Sequence, residues 1–442
     1  MTQSFNWGGH SATPQSAFPI FWLSELNAKH LPEGPLLAHG NSRSQGDVGL
    51  NTQGTLLLMR GCNRLIAWDE QNALLTAEAG ITLHEIMEFA TPRGYMLPVV
   101  PGTRFVTLGG AIANDVHGKN HHAPIREGGG SFGHHVVAIG LWRTNGGLQT
   151  LQQTDDLFTA TIGGLGLTGV IAHATIRLVP ITAPTLSVTQ TRLEDWANMY
   201  NAVCNSTAPY SVAWIDLSAP TAALGRGWLE EAVWDTNSAE AAPAPRLPKL
   251  SVPFRLPFNL WNAAVVRAFN GMWYKRPRAE HSNVPYAKFL WPLDGVANWR
   301  NTFGPAQFVQ CQMVVPTEAA GTVLLQALQM VQARGKPTFL CTLKRMGNHA
   351  PAGLLSFPRE GLALALDMVY QGAATDALLR DLEALVLEAG GALYPAKDSA
   401  MSPTAFKAMY PKWQELEAQR DPRVMSDFWQ RVTKQESQTD AA

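Results

Sequence analysis

PGTRFVTLGGAIANDVHGKN, residues 101–120, joins four glycines to two ionisable side chains. The glycines permit a positive φ or the close approach of a flat ligand, and they are Gly102, Gly109, Gly110 and Gly118. His117 and Lys119 add a proton-handling group and a cationic group. Such a stretch is typical of a segment that lines a cofactor, and equally of a glycine-rich turn with a surface histidine. Other parts of the chain decide between the two interpretations.

The overall composition bounds the kind of protein. The chain has 442 residues, of which 46% are hydrophobic and 16% are charged, so it is long enough for two domains with substantial cores. Its formal net charge of -1 excludes the basic field that dedicated nucleic-acid binding uses. We therefore expect no nucleic-acid partner.

The cysteines and the N-terminus indicate a compartment. The four cysteines form no Cys-x-x-Cys pair, which is typical of buried thiols in a reducing compartment, and they are Cys62, Cys204, Cys311 and Cys341. The N-terminus shows no basic region followed by an apolar one, and no apolar run approaches the roughly 20 residues that span a bilayer. We expect a cytoplasmic or peripheral membrane protein without a signal peptide or transmembrane segment.

From Pro35 to Pro180, short apolar runs alternate with glycine-bearing turns. The runs predict β-strands, among them LIAWD, VVAIGLWR and GVIAHATIRLVP. Apolar residues at helical spacing predict a helix over Thr82 to Arg93, closed by Gly94. Together these elements predict one compact α+β unit.

The composition changes after this unit. Residues 236–258 are rich in proline and have no periodicity, which predicts a long loop. Beyond it, FVQCQMVVP and TFLCTLKRMG flank a predicted helix from Glu318 to Arg334, and GLALALDMVY is followed by a helix from Thr375 to Ala389. These patterns predict a second sheet with helices on one face.

Two further segments are candidates for nucleotide contact. GLGLTG, residues 164–169, matches Gly-x-Gly-x-x-Gly, but a β-branched strand follows it where a dinucleotide-binding turn would open a helix, so we reject that motif. It stays open whether this turn lets a cofactor lie against its backbone. HGNSRSQGD, residues 39–47, suits a pyrophosphate through consecutive N–H groups, or is an ordinary polar loop.

Clustered histidines raise the question of a metal site: His117, His121, His122, His134 and His135. Zinc takes three or four ligands at helical or knuckle spacing, whereas this spacing is loop-like and no cysteine supports it. We therefore predict no metal. Lys397, in YPAKDS, has by local pattern no claim beyond that of a solvent-facing lysine.

Five blocks together resemble the FAD-binding oxidoreductases of the vanillyl-alcohol oxidase superfamily. They are HGNSRSQGD, PGTRFVTLGGAIANDVHGKNHH, GSFGHHV, TIGGLGLTGVIAHATI and YPAKDSAMSPTAFKAMYP. Within that superfamily, HGKNHH, YSVAWIDLSAP, FGPAQFVQCQMVVPTEA, LLSFP and YPAKDS resemble the decaprenylphosphoryl-β-D-ribose 2-oxidases. The resemblance extends from Trp7 to Tyr410 with the order of the blocks preserved.

The resemblance implies an α+β, two-domain fold of the vanillyl-alcohol oxidase type. An FAD-binding domain would span residues 1–180. A substrate domain, with an antiparallel sheet and flanking helices, would span residues 181–390. Residues 391–442 would form a C-terminal segment that returns to the FAD site.

The resemblance also implies FAD as the cofactor. One loop would cradle its pyrophosphate, a second segment would run beside it, and a glycine turn would contact the nucleotide through its backbone. The expected contacts are Gly40, Asn41, Ser42, Arg43, Ser44, Gln45, Pro101, Gly102, Thr103, Arg104, Thr107, Gly109, Gly110, Ala113, Asn114, His117, Gly118, Gly166, Gly169, Ile171 and Tyr394.

In the family that this sequence resembles, His117 and Lys397 match catalytic positions near the sugar, and Lys344 and Gln312 match polar residues of the substrate pocket. An active-site cysteine of the mycobacterial proteins aligns with Ala365, which changes the pocket and leaves hydride chemistry intact. Oxidising an alcohol needs a proton acceptor and a charge that stabilises reduced flavin, and His117 and Lys397 supply both. Which of them takes the proton stays open.

We predict FAD-dependent oxidation of a secondary hydroxyl of a sugar, a polyprenyl-phosphate-linked pentose, by hydride transfer to flavin N5. Two alternatives stay open. One is a soluble alditol or aldonolactone oxidase of the same superfamily, and the other is a non-catalytic flavin- or metal-binding protein. The expected partners are a sugar or lipid-linked sugar, a partner reductase and a membrane surface.

One segment bears on the membrane independently. Residues 252–278 interleave aromatic and basic side chains, which suits a membrane interface, although the pattern alone slightly favours a buried helix with a basic rim. The aromatic residues are Phe254, Phe258, Trp261, Phe269 and Trp273, and the basic ones are Arg255, Arg267, Lys275, Arg276 and Arg278.

Covalent flavin in this superfamily often uses a histidine of the pyrophosphate loop, where this chain has Arg43. We therefore expect non-covalent FAD, which acid or heat denaturation releases into the supernatant. Absorbance spectra of the supernatant and of the washed pellet measure the release. Flavin that stays with the pellet would contradict the prediction.

Overall fold

The computed structural model describes residues 6–9, 15–236, 241–335, 338–398 and 400–434. The elements of the N-terminal part are β1 Ser16–Pro19, β2 Leu36–His39, β3 Thr55–Leu58, β4 Leu65–Asp69, β5 Leu74–Glu78, α1 Leu83–Ala90, β6 Tyr95–Met96, α2 Leu108–Ala113, β7 Val136–Arg143, β8 Gly147–Gln152, α3 Asp156–Thr161, β9 Val170–Arg177 and β10 Val179–Pro180. A parallel sheet has the order β1-β3-β2, and an antiparallel sheet has the order β4-β5-β9-β7-β8. The short strands β6 and β10 pair with each other.

Helix α1 confirms the helix predicted between Thr82 and Arg93. Thr82 caps its first turn: the Thr82 side chain accepts from Glu85 N, and the Glu85 carboxylate accepts from Thr82 N at 2.6 Å. The helix continues into a short 3-10 turn and stops at Gly94, whose φ is 81°. Local side-chain chemistry therefore determines both ends of this element.

The turn GLGLTG lies between α3 and β9. A strand follows it, so the rejection of a dinucleotide-binding turn is confirmed. Leu165 and Gly166 have φ of 56° and 76°, which makes the turn tight and leaves its backbone uncovered by Cβ at Gly166.

The second part of the chain forms one large sheet. Its elements are β11 Thr185–Leu193, α4 Trp196–Asn205, β12 Tyr210–Ile215, β13 Gly227–Trp234, β14 Leu250–Ser251, α5 Ala263–Lys275, β15 His281–Pro285, α6 Tyr286–Leu290, β16 Val296–Ala297, β17 Phe308–Val315, α7 Thr317–Ala333, β18 Cys341–Met346, β19 Gly361–Val369, α8 Ala373–Glu388 and β20 Ala392–Leu393. Eight antiparallel strands have the order β15-β11-β13-β12-β18-β19-β17-β20. Strands β14 and β16 form a separate parallel pair. The three strands and two helices predicted from the apolar patterns of this part are confirmed.

Strands β17 to β19 carry two different faces. On one face, Cys311, Met313 and Leu343 are buried in the same apolar cluster as residues of α4, α7 and α8. The other face carries polar side chains at alternate positions, among them Gln310 and Gln312. This polar face is the floor of the candidate site described below.

Residues 241–249 and 252–262 contain no helix or strand, as expected for a long loop, and residues 237–240 lie outside the described part. Helix α5 follows, and only Val266 and Asn270 are buried in it. The interpretation as a buried helix is therefore wrong. Trp261 and Phe269 pack against Phe339, with ring centroids 4.1 and 5.9 Å away.

The last helices return to the first sheet. They are α9 Pro403–Met409, α10 Trp413–Gln419 and α11 Asp427–Thr433. Leu36 N donates to Arg423 O at 2.7 Å, and Met425 N donates to Leu36 O at 3.0 Å. Trp429 is buried in the core that the large sheet shares with β2 and β3. Within the described residues, no helix is both long enough and apolar enough to cross a bilayer.

Candidate active site

The predicted pyrophosphate loop lies against the segment that opens with Pro101. Asn41 Nδ2 donates to Phe105 O at 2.8 Å. A Cβ on Gly40 would overlap Thr107 Oγ1, so only glycine permits this approach. Two segments far apart in sequence thus form one surface.

The turn at residues 163–169 docks on the same segment. Gly163 N donates to Ile112 O at 3.0 Å, and Leu165 N donates to Ala113 O at 2.8 Å. The structure therefore brings together the three segments that carry the predicted cofactor contacts. Their roles stay predictions.

Several buried polar atoms in these segments have no hydrogen-bond partner within the described residues. They include Arg43 Nε, Gln45 Oε1, Arg104 Nε and Asn114 Oδ1. An unpartnered buried polar group is costly, so each of these atoms is available to a ligand that completes its hydrogen bonds. Pyrophosphate oxygens accept from a guanidinium, and a flavin ring offers both N–H and carbonyl groups. The residues present fit FAD.

Arg43 needs a negative partner. Its guanidinium stacks over the Trp7 ring at 4.6 Å, and burial lowers its pKa, opposed by Asp294. A buried cation is stabilised by an adjacent anion, and the pyrophosphate of FAD is one.

Arg104, another predicted cofactor contact, also makes contacts within the protein. Its guanidinium donates to Arg246 O at 2.6 Å and lies 5.6 Å from the Trp291 ring, and its backbone N donates to Asp294 at 2.9 Å. Its Nε has no hydrogen-bond partner within the described residues, so a contact of Arg104 with FAD stays a prediction.

His117 meets the polar face of the large sheet. Gln312 Nε2 donates to His117 Nε2 at 2.7 Å, and Lys344 Nζ lies 3.5 Å from His117 Nδ1. Burial, and then the charge of Lys344, holds the pKa of His117 well below its usual value. His117 is therefore a neutral imidazole at physiological pH. The predicted pair of substrate-binding residues and one predicted catalytic residue are in direct contact.

Lys397 approaches from the C-terminal segment. It ends a 3-10 turn that follows Tyr394, whose hydroxyl donates to Asn114 O at 2.9 Å. Burial lowers the pKa of Lys397, opposed by Asp367, and its charge contributes to the lowered pKa of His117. Both predicted catalytic residues thus belong to one cluster.

Ala365 lies between Gln312 and Thr342 on the polar face, since it is opposite both in register. Two residues away, Asp367 accepts from Gln310 Nε2 at 2.6 Å, and burial raises the pKa of Asp367 to about 6. Sequence reasoning missed Gln310 and Asp367. Their alternation with Gln312 and Ala365 on two otherwise apolar strands is the signal that would have found them.

The site holds more ammonium groups than carboxylates can balance. Burial and the nearby charges of Lys119 and Lys397 lower the pKa of Lys344 to about 7. Burial lowers the pKa of Lys119 to about 8, opposed by Glu230, and its ammonium donates to Phe289 O. Within the described residues, none of these three lysines has a carboxylate at ion-pair distance.

The histidine cluster links the loop after His117 to the large sheet. Gly347 N donates to His121 Nδ1 at 2.9 Å, and His349 Nε2 donates to Ala123 O at 3.0 Å. Two more histidines contact backbone carbonyl groups. His134 donates to Ala350 O at 2.9 Å, and His122 donates to Ala208 O at 2.7 Å. Within the described ranges, no group of His, Cys, Asp or Glu side chains is arranged to hold a metal ion.

Comparison with known proteins gives two kinds of match. A family model described as an FAD binding domain matches residues 27–152. The decaprenylphosphoryl-β-D-ribose oxidase of Mycolicibacterium smegmatis is 36% identical over 409 residues, 88% of this chain and 86% of that protein. An uncharacterised protein of Streptomyces coelicolor is 32% identical over 77% of this chain and 96% of its own length. The L-gulonolactone oxidase of Mus musculus is 29% identical over 32% of this chain and 31% of that protein.

The histidine links predict acid sensitivity. Burial is the main cause that lowers the pKa of His121 to about 3, and the nearby side chains of His349 and His134 lower it further. Between that value and the unfolded value of about 6.5, the unfolded chain binds one more proton, so stability falls by roughly 1.4 kcal/mol per pH unit as pH drops. Above about pH 6.5 this contribution to the pH dependence vanishes.

We expect His121→Gln to flatten the acid limb, because its amide oxygen still accepts from Gly347 N and does not titrate. Urea unfolding between pH 4.5 and 8 measures this, with the exposed His30→Gln as the matched control. An acid limb in His121→Gln as steep as that of the control would refute the assignment.

Proposed function

Because this chain belongs to the family of decaprenylphosphoryl-β-D-ribose oxidases, FAD-binding oxidoreductases of the vanillyl-alcohol oxidase type, we propose that it oxidises a secondary hydroxyl of a pentose carried on a polyprenyl phosphate. The observation that carries this proposal is the contact of His117 with Gln312 and Lys344, beside Lys397. The chemistry that bound FAD supplies is acceptance of the hydride that leaves the carbon atom.

The hydroxyl proton needs an acceptor as the hydride leaves and the carbonyl forms. We assign it to the pair of His117 and Lys344, since the imidazole is neutral and the pKa of the amine is near 7. An acid-base group works best when its pKa lies near the working pH. Lys397 then has the second role, an ammonium that stabilises negative charge on the reduced cofactor.

The lysines also favour an anionic substrate. Lys119 and Lys397 have no carboxylate at ion-pair distance among the described residues, and a buried cation without an anionic partner is costly. A phosphodiester brings negative charge into such a site, whereas a free alditol or lactone brings none. The lactone oxidase relatives also match only about a third of this chain, for example 32% for the mouse protein.

Anaerobic bleaching of the flavin tests the proposal. FAD-loaded protein is mixed with a short prenyl-phosphoryl pentose, with the free pentose, with an alditol or with an aldonolactone. We expect the phosphoryl pentose to reduce the flavin fastest. Bleaching by the alditol or the lactone alone would favour the soluble oxidase instead. Reoxidation by oxygen or by a quinone then identifies the electron acceptor, including a partner reductase.

We predict that Lys397→Met lowers kcat by about 10²–10³, because one preorganised charge at the reacting centre is worth that much. Lys412→Met, at an exposed position of the same segment, is the control and keeps its rate. Steady-state kinetics on protein with matched FAD content measures both. A Lys397→Met rate within a factor of two of the control would remove Lys397 from the site.

We also propose that the segment around α5 rests on an anionic membrane. Residues 246–278 contain seven basic residues and no acidic one. Large apolar side chains in and beside this segment are exposed: Leu247, Leu250, Phe254, Phe258 and Met272. Basic charge beside exposed apolar groups is typical of a membrane interface.

One of the five basic residues that the sequence suggested for membrane contact is already bound within the protein. Arg278 donates to Glu230 at 2.9 Å and stacks on Trp228 at 4.6 Å, so it is not free for lipid phosphates. Six basic residues of the segment are exposed, which are Arg246, Lys249, Arg255, Arg267, Lys275 and Arg276. Four of them are chosen for the test below: Lys249, Arg267, Lys275 and Arg276. A lipid-linked substrate would then reach the site from the bilayer.

Replacing those four residues with Gln should release the protein from anionic vesicles, since each basic residue near such a surface contributes about 1 kcal/mol. The matched control replaces four exposed basic residues elsewhere, which are Lys29, Arg93, Arg380 and Lys412. Sedimentation with phosphatidylserine vesicles at low and high salt measures binding. Equal binding of the two variants would contradict the proposal, as would equal loss of rate on long-chain and short-chain substrates.

A further inference from the structure

A guanidinium of the C-terminal helix α11 joins two carboxylates from distant parts of the chain. Arg431 donates to Asp47 through Nε and Nη2, each at 2.9 Å. The same Nη2 lies 3.0 Å from Asp398 Oδ2, and Nη1 donates to Met401 O. The Asp398 and Asp47 side chains are only 9% and 13% exposed, so this is not a surface ion pair of little energetic value.

The two carboxylates belong to the two segments that meet at the cofactor region. Asp47 ends the predicted pyrophosphate loop, and Asp398 directly follows Lys397. The segments also touch through their backbones, since Gln45 N donates to Ala396 O at 3.0 Å. A shift of either segment would therefore displace the other.

Helix α11, which carries Arg431, is held in place by its own contacts with the rest of the protein. Ser426 caps α11 by accepting from Trp429 N at 3.1 Å, and Asp427 N donates to Leu50 O at 2.8 Å. Trp429 is buried and donates to Glu417 at 2.7 Å. Burial opposes the charge of Arg431, but Asp398 and Asp47 outweigh burial and raise its pKa above the ordinary value. The guanidinium is thus a rigid, permanently charged anchor.

We propose that Arg431 is a positioning residue that sets Lys397 relative to the FAD-binding loop, so that cofactor retention and the placement of Lys397 are coupled. The proposal rests on the role of Lys397 under the proposed function. It requires an arginine, because a planar fork holds Asp47 through two nitrogens and reaches Asp398 as well. A lysine keeps the charge and offers one point of contact, so Arg431→Lys separates geometry from charge.

The test compares Arg431→Lys and Asp47→Asn with Arg334→Gln, which breaks an exposed pair to Asp381 of 2.6 Å. Three quantities are measured on each holoenzyme: the Kd of FAD, the midpoint potential of the bound flavin, and the anaerobic reduction rate per bound flavin. In Arg431→Lys we expect a Kd raised about tenfold, a lower potential and a reduction rate lowered about 10²-fold, since a displacement near 1 Å costs that much. Arg334→Gln should match the parent protein in all three.

A purely structural Arg431 would lower the melting temperature or the FAD affinity, while saturated enzyme keeps the parent potential and reduction rate. That result overturns the proposal, as does no change in any quantity. The double variant with Lys397→Met provides the decisive control: if Arg431 acts through Lys397, Arg431→Lys changes the potential no further there. Kd and potential need no substrate, so a wrong substrate leaves this test intact.

Discussion

The site depends on the two-faced strands β17 to β19. Their apolar face must cover helices, so most of their polar side chains lie on the opposite face, among them Gln310, Gln312 and Lys344. Each polar group there then needs a protein partner, and Gln312 finds His117 while Gln310 finds Asp367. Charges in this layer are poorly solvated, which is why the pKa of Lys344 falls to about 7 and that of Asp367 rises to about 6.

The same burial lowers the stability of the folded state. Ammonium groups without carboxylate partners and buried polar side chains do not stabilise the fold as an apolar layer would. Such ammonium groups create a preorganised positive field in a region of low dielectric constant, and a field of this kind favours an anion without reorganisation. Active sites commonly sacrifice stability in this way. Arg431 joins the segments of Asp47 and Asp398 to helix α11.

Local structure was predictable where a few neighbouring residues decide it. Thr82 and Glu85 define the start of α1, and the strand after GLGLTG excluded a dinucleotide-binding turn. Prediction failed for groups whose role needs a distant partner. Asp367 lies in a strand whose other residues are mostly apolar, and its partner Gln310 comes from a different strand. Arg278 lies in the basic segment, and its partner Glu230 comes from strand β13. No pattern within either segment carries that information.

The sequence by itself determined the elements, the resemblance to a flavin-dependent family and the residue types available for chemistry, because propensity, capping and glycine geometry act over a few residues. Only the tertiary structure decided which of those residues meet. It joined His117 to Lys344 across 227 positions and made the histidine cluster a set of backbone contacts. The physical reason is that protonation and hydrogen bonding depend on burial and on neighbours in space, and packing alone creates both.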